Sequence, residues 1–136
     1  MLSCLHCHKQ LSKSAVRYCS NQCQGNHRYA LYIADWKRGN VNGSRGVTAK
    51  NISGHLRRYL SEKYGDACSL CGWSMKNETT GKVPLEIDHI DGFSDNNEES
   101  NLRLICPNCH SLTPNFRNLN KGAGRTWRRL KYNKTS

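Results

Sequence analysis

Apolar positions along the chain change period part-way, and the change divides it into helical and extended stretches. Tyr29, Ile33 and Trp36 recur at spacings of four and three, the repeat of one helix face. Ser20-Asn21 ahead of them predicts an N-cap and Gly39-Asn40 a stop, so a helix is expected from there to Arg38. Ser53 predicts the cap of a second helix over roughly 54–64. Its Leu56, Tyr59, Leu60 and Tyr64 would face inward, Arg57 and Arg58 would be more exposed, and Gly65 would end it. Beyond it, Val83 to Ile90 reads as a strand and Leu102 to Ile105 as its partner, joined by a polar, turn-rich connection from Asp91 to Asn101. Cys106-Pro107-Asn108-Cys109 then opens a short helix whose first part Pro114 limits. Residues 39–52 hold three glycines and little periodicity, which predicts a linker or a basic loop. The expected organisation is therefore an N-terminal module over 1–38, a linker over 39–52, a second domain over 53–125 and a basic tail over 126–136.

These elements hold too few apolar side chains to be stabilised by a core alone. Hydrophobic residues make up 36% of the 136 positions, below the usual ~45–50%, so a metal or disulfide staple is expected. Eight cysteines supply one. They form four close pairs, Cys4/Cys7, Cys19/Cys23, Cys68/Cys71 and Cys106/Cys109, with spacings of x2, x3, x2 and x2. Such spacings bring two thiolates of one tight turn to the same tetrahedral ion. Disulfides are the alternative, and they would suit a secreted chain. Only three residues precede Cys4 and no apolar stretch accompanies them, so an unsecreted, cytoplasmic chain with two structural Zn²⁺ sites is expected. No apolar run approaches the ~18 residues of a transmembrane helix.

Charge narrows the partner. The formal net charge is +11, from 21 Lys and Arg against 10 Asp and Glu, and thiolate–zinc bookkeeping lowers this without removing the basic excess. A small basic protein draws polyanions by phosphate neutralisation and counterion release. Nucleic acid is the expected partner, with a merely soluble basic surface as the bland alternative.

Between and around the second cysteine pairs the sequence reads Leu85-Glu-Ile-Asp88-His89-Ile-Asp-Gly, then Asn101-Leu-Arg-Leu-Ile, then Cys106-Pro-Asn-Cys109-His110. This ordered set resembles the HNH endonuclease family over about residues 53–125. The resemblance implies a small α+β, metal-stapled fold: a ββα-metal core with a Cys4 zinc site, preceded here by an N-terminal Cys4 zinc module and helix. It implies that His89 is the general base, that Asp88 and His110 are ligands of a catalytic Mg²⁺ or Mn²⁺, and that Asn101 braces the hairpin loop. Cys68, Cys71, Cys106 and Cys109 would hold one structural zinc, and Cys4, Cys7, Cys19 and Cys23 the other. The chemistry is coherent: an imidazole titrates near neutrality and can activate water, while a divalent ion stabilises phosphoryl charge and the departing oxygen. A closed Cys4 site offers no open position, so both zinc sites are read as structural.

Two features resist this reading. Adjacent strand residues point to opposite faces, yet Asp88 and His89 must address one phosphate, which requires a twist or strand end there. Some family members carry a further metal-binding His four residues after the His110 position, where this chain has Pro114. Each residue also has a plainer role: Asp88 as a hairpin cap or salt-bridge partner, His110 as a helix cap, Glu86 as a solvent-facing strand residue that could assist metal binding.

Arg57, Arg58, Arg103, Arg117, Arg125, Arg128 and Arg129 are the candidate DNA contacts. The N-terminal module is either an anchor for its helix or a further DNA contact through Arg17, Arg28, Lys37 and Arg38. The whole arrangement is similar to the HNH endonucleases of tailed bacteriophages, which act as free-standing homing-type enzymes or beside the terminase during packaging. It implies double-stranded DNA as substrate and the host cytoplasm as location. The competing function is a non-catalytic zinc-finger DNA-binding protein, which has no reason to assemble Asp88, His89 and His110 in this order. A nuclease directed at RNA lacks an aromatic stacking motif to support it.

Overall fold

The computed structural model describes residues 2–44, 51–116 and 119. Two compact units divide between Val41 and Asn42.

The first unit begins with a tight turn. Ser3 and Gln10 form an antiparallel bridge, and within it the Cys4 backbone N–H donates to Lys9 O and that of His8 to Cys4 O. His8 takes a positive φ of 63° to close the turn. Helix α1, Asn21–Lys37, follows the second cysteine pair. The Ser20 hydroxyl accepts from Cys23 N at 3.1 Å, the N-cap expected of a serine that precedes a helix. Ile33 and Trp36 are buried, and Gly39 ends the helix at φ 81°.

The second unit carries every other regular element described. Helix α2 runs Gly54–Tyr64, with Ser53 Oγ accepting from His55 N and Gly65 closing it in the left-handed region. Leu56 and Leu60 are fully buried. Strand β1, Glu86–His89, pairs antiparallel with β2, Leu102–Ile105, in the register Glu86↔Ile105, Ile87↔Leu104, Asp88↔Arg103 and His89↔Leu102. The short helix α3, Pro107–Ser111, starts immediately after β2 and contacts β1, while α2 packs on β2. The core sits under this hairpin, where Ile105 lies with Cys68 and Cys106 among Trp73, Leu85 and Cys109. Leu102 and Leu104 are buried as well.

One expected element differs in extent. The first strand was expected from Val83 to Ile90, but pairing covers four residues. Leu85 N donates locally to Val83 O, and Pro84 has no N–H to give a ladder. The boundary between the units falls inside the 39–52 segment expected as a linker: positions 39–41 lie in the first unit, and 42–44 and 51–52 in the second. Ser44 and Ile52 form an antiparallel bridge, and Ser53 N donates to Gly43 O at 2.8 Å. Residues 45–50 and the tail over 126–136 lie outside the described residues.

Candidate active site

Two sulfur tetrads are assembled, one in each unit: Cys4, Cys7, Cys19 and Cys23, and Cys68, Cys71, Cys106 and Cys109. The four sulfurs of each lie within 4.8 Å of one another, with separations of 3.6 Å for Cys7–Cys19, 3.5 Å for Cys19–Cys23 and 3.7 Å for Cys71–Cys106. A tetrahedron with Zn–S bonds of ~2.3 Å has edges of ~3.8 Å, whereas a disulfide needs ~2.05 Å. The spacing fits zinc, and no disulfide links any of the eight cysteines.

Electrostatics in the tetrads point the same way. Burial pushes the Cys4 thiol up, but backbone N–H groups of Cys7, Cys19 and His6 outweigh it and bring it down to about 6. Cys68 is likewise brought down to about 6, burial being overcome by the backbone of Cys71, Cys106 and Leu70. Cys19 is pushed up to about 12, first by its contact with Cys23 and then by Cys7. Cys106 and then Cys71 do the same to Cys109, also to about 12. Without a cation each tetrad thus concentrates negative charge that some of its sulfurs avoid by keeping protons. A divalent ion that displaces those protons is the natural complement.

The tetrad of the second unit also places a histidine beside β1. Cys106 is both a sulfur donor and the N-cap of α3, accepting from Cys109 N at 3.4 Å. His110 follows Cys109 directly, so the metal turn delivers an imidazole to the side of β1. There His110 Nδ1 meets Glu86 Oε2 at 2.5 Å, and the rings of His110 and Phe116 pack in a T-shape with centroids 5.3 Å apart.

At the end of β1, His89 Nε2 is 2.8 Å from Asn97 Oδ1. The 91–101 connection that supplies Asn97 is tied internally. Asn101 Oδ1 accepts from Asp91 N at 2.9 Å, and its Nδ2 donates to Asp91 Oδ1 at 3.0 Å and Asn96 O at 2.8 Å. Asp91 also accepts from Phe93 N and from Asn96 Nδ2. Burial raises the Asp91 pKa, but these donors, Asn96 first, hold it below the ordinary carboxylate value.

One pocket of about 760 Å³ is lined by Glu86, Ile87, His89, Asn97 and His110, with Arg57 from α2 and Ser94 also on its wall. Asp88 is not among its lining residues. It is buried, and its Oδ2 accepts from Arg103 Nε at 2.8 Å, directly across the β ladder. The structure therefore brings His89, His110 and Glu86 to one pocket and pairs Asp88 with Arg103. Arg58 pairs with Glu62 one turn along α2 at 3.0 Å, leaving Arg57 as the described candidate arginine on the pocket wall. Arg117, Arg125, Arg128 and Arg129 lie outside the described residues.

Comparison with known proteins fits this arrangement. The family model for HNH endonuclease matches positions 68–115, which hold the second tetrad, both strands and α3. Residues 68–115 belong to the HNH endonuclease family. Strands β1 and β2 with α3 are accordingly the ββα-metal core, and the fold is a small, metal-stapled α+β. The chain is also similar to the H-N-H endonuclease F-TflIV of Escherichia phage T5, at 46% identity over 81 residues. That alignment takes in 60% of this chain and 34% of the relative, so the chain spans about a third of the relative's length. No solved structure matches the chain at a significant level.

The HNH domain shows what the sequence reading missed. Asn97 was assigned no role, since no motif of two residues foretells a hydrogen bond across eight positions. Glu86 faces solvent as expected, its side chain half exposed, and its carboxylate also meets His110 Nδ1. The signal available for Glu86 was its place two residues before Asp88, on the same strand.

Proposed function

We propose that the chain is a divalent-metal-dependent endonuclease that hydrolyses phosphodiester bonds of double-stranded DNA. The observation that carries this reading is the position of His89 in the HNH domain. It lies at the strand end, is bonded to Asn97, and lines one pocket with Glu86, His110 and Arg57.

His89 takes the proton from an attacking water; general-base catalysis of this kind contributes ~10²–10⁴-fold. Arg57 neutralises a phosphate entering the pocket and holds its register without reading bases. Asn101 keeps the 91–101 loop folded around the site. Glu86 and His110 form the carboxylate–imidazole pair that would hold the catalytic ion; Asp88, the further ligand the family likeness implies, would have to exchange its bond to Arg103 for the ion. This donor set fits Mg²⁺ or Mn²⁺, which keep several positions for water and phosphate oxygens. When bound, the ion supplies Lewis-acid stabilisation of the phosphoryl charge and of the departing 3′ oxygen. Both Cys4 sites hold zinc as staples.

The likeness to a phage endonuclease supports a phage-encoded enzyme in the host cytoplasm, acting as a homing-type nuclease or beside the terminase. Incubation of supercoiled plasmid with zinc-loaded protein and Mg²⁺ or Mn²⁺, beside EDTA and His89→Ala, tests the activity. Metal-dependent nicked or linear product, slowed ~10²–10⁴-fold in the variant at normal zinc content, supports it. DNA binding without cutting under either metal would make the chain a zinc-finger binder instead.

A further inference from the structure

We infer that Asn97 is the positioning residue of His89, and that the turn at Gly43 holds Asn97 in place. The kinetic part of this inference rests on the nuclease reading; the structural part does not.

An amide oxygen can only accept, so the contact of Asn97 Oδ1 with His89 Nε2 at 2.8 Å requires the proton on Nε2. A neutral imidazole then carries its lone pair on Nδ1. Asn97 is buried, which keeps water from replacing it and strengthens the bond. One hydrogen bond therefore fixes the tautomer and the ring plane of the proposed base.

Asn97 is itself held from both sides. The carbonyl just before it, Asn96 O, accepts from Asn101 Nδ2 at 2.8 Å, and Glu98 O, just after it, accepts from Asn101 N at 2.9 Å. Gly43 closes over the other side of its side chain. A Cβ built on Gly43 would lie 3.1 Å from Asn97 Cβ and 2.4 Å from Leu56 Cδ1, and Gly43 has φ +85°. Only glycine permits that approach and that backbone conformation without displacement. Ser53 N donating to Gly43 O and the Ser44–Ile52 bridge tie the turn to the start of α2. Sequence ahead of the HNH match thus reaches the proposed base through one buried amide.

Nitrogen-15 spectra of the zinc-loaded full-length protein at mildly alkaline pH read the His89 tautomer without DNA, His89→Gln serving to assign the signal. Wild type and Asn97→Asp, which keeps an oxygen acceptor, are expected to show the Nε2–H form. Asn97→Leu, of similar shape without the acceptor, is expected to show a mixture. In plasmid cleavage Asn97→Leu is expected to lower kcat about 10–100-fold, the cost seen when a metal-bound histidine loses the partner that orients it. KM, zinc content and melting temperature should stay near wild type, and Asn97→Asp should recover most of the rate. An Nδ1–H form in wild type overturns the inference, as does an Asn97→Leu variant with wild-type tautomer and rate. Should the leucine variant unfold, the wild-type tautomer and the aspartate variant still decide it. If the expected tautomers appear but wild type cuts no DNA, the assignment of Asn97 stands and the nuclease reading falls.

Discussion

Side chains around the hairpin are arranged as complementary pairs. Asp88 is bonded to Arg103, His110 to Glu86 and His89 to Asn97. Asp88 and Arg103 are mostly buried, with side-chain exposures of 9% and 22%, so deleting one leaves the other with an uncompensated charge. Arg103→Ala is expected to lower stability by about 1–3 kcal/mol, measured by urea denaturation of the zinc-loaded protein. A loss no larger than that of an exposed pair such as Arg58–Glu62 would show that Asp88 is solvated. At Glu86 the expected effect is on metal, not on folding. Glu86→Gln should raise the Mg²⁺ concentration for half-maximal plasmid cutting roughly 10-fold or more with little change in melting temperature. An unchanged metal requirement would remove Glu86 from the ligand set. Pairings of this type are tertiary facts. The cross-strand partner of Asp88 is set by register, which a single sequence fixes only once the ladder is known.

Helices were the legible elements because their signals are local. Ser20 and Ser53 cap through bonds that span two or three residues, and Gly39 and Gly65 stop the chain where a positive φ is needed. Strand β2 is also bounded locally, by Asn101 and Cys106. Strand β1 was harder, because its length depends on which residues find a partner; Val83 and Leu85 are apolar but unpaired in the ladder. The 91–101 loop read as polar and turn-rich, while its internal amide bonds were not readable. Its acid–base behaviour can be tested. The Asp91 carboxyl has its pKa lowered in the folded chain, so its contribution to stability is complete above the ordinary carboxylate range. That contribution is lost as pH falls through the depressed folded value. The difference in melting temperature between wild type and Asp91→Asn should therefore shrink on acidification through that window. A difference independent of pH would mean that the carboxylate is not the species the loop binds.

At the scale of the molecule, two units each built around one sulfur tetrad explain how a chain with 36% apolar residues forms defined structure. Metal analysis is expected to find two zinc ions per chain. Cys4→Ser should release one, and Cys68→Ser the other together with the HNH fold. A chain that retains both ions in either variant would require different ligands. The tetrads were readable from spacing alone, since x2 and x3 intervals carry their own geometry. Which unit is proposed to hold the chemistry was readable only from the ordered Asp-His, Asn and Cys-x-x-Cys-His set.

Because His110 is the next residue after Cys109 in a five-residue helix capped by Cys106, zinc occupancy and pocket assembly are expected to be one equilibrium. On the proposed mechanism, an ion that takes no part in bond breaking would then act as a master switch. As zinc becomes scarce, cutting should fail at the same free-zinc level at which the second tetrad empties, however much magnesium is supplied. Replacing zinc with larger cadmium lengthens the metal–sulfur bonds and shifts the imidazole beside Glu86. A folded but slowed enzyme is the expected signature of that thermodynamic coupling.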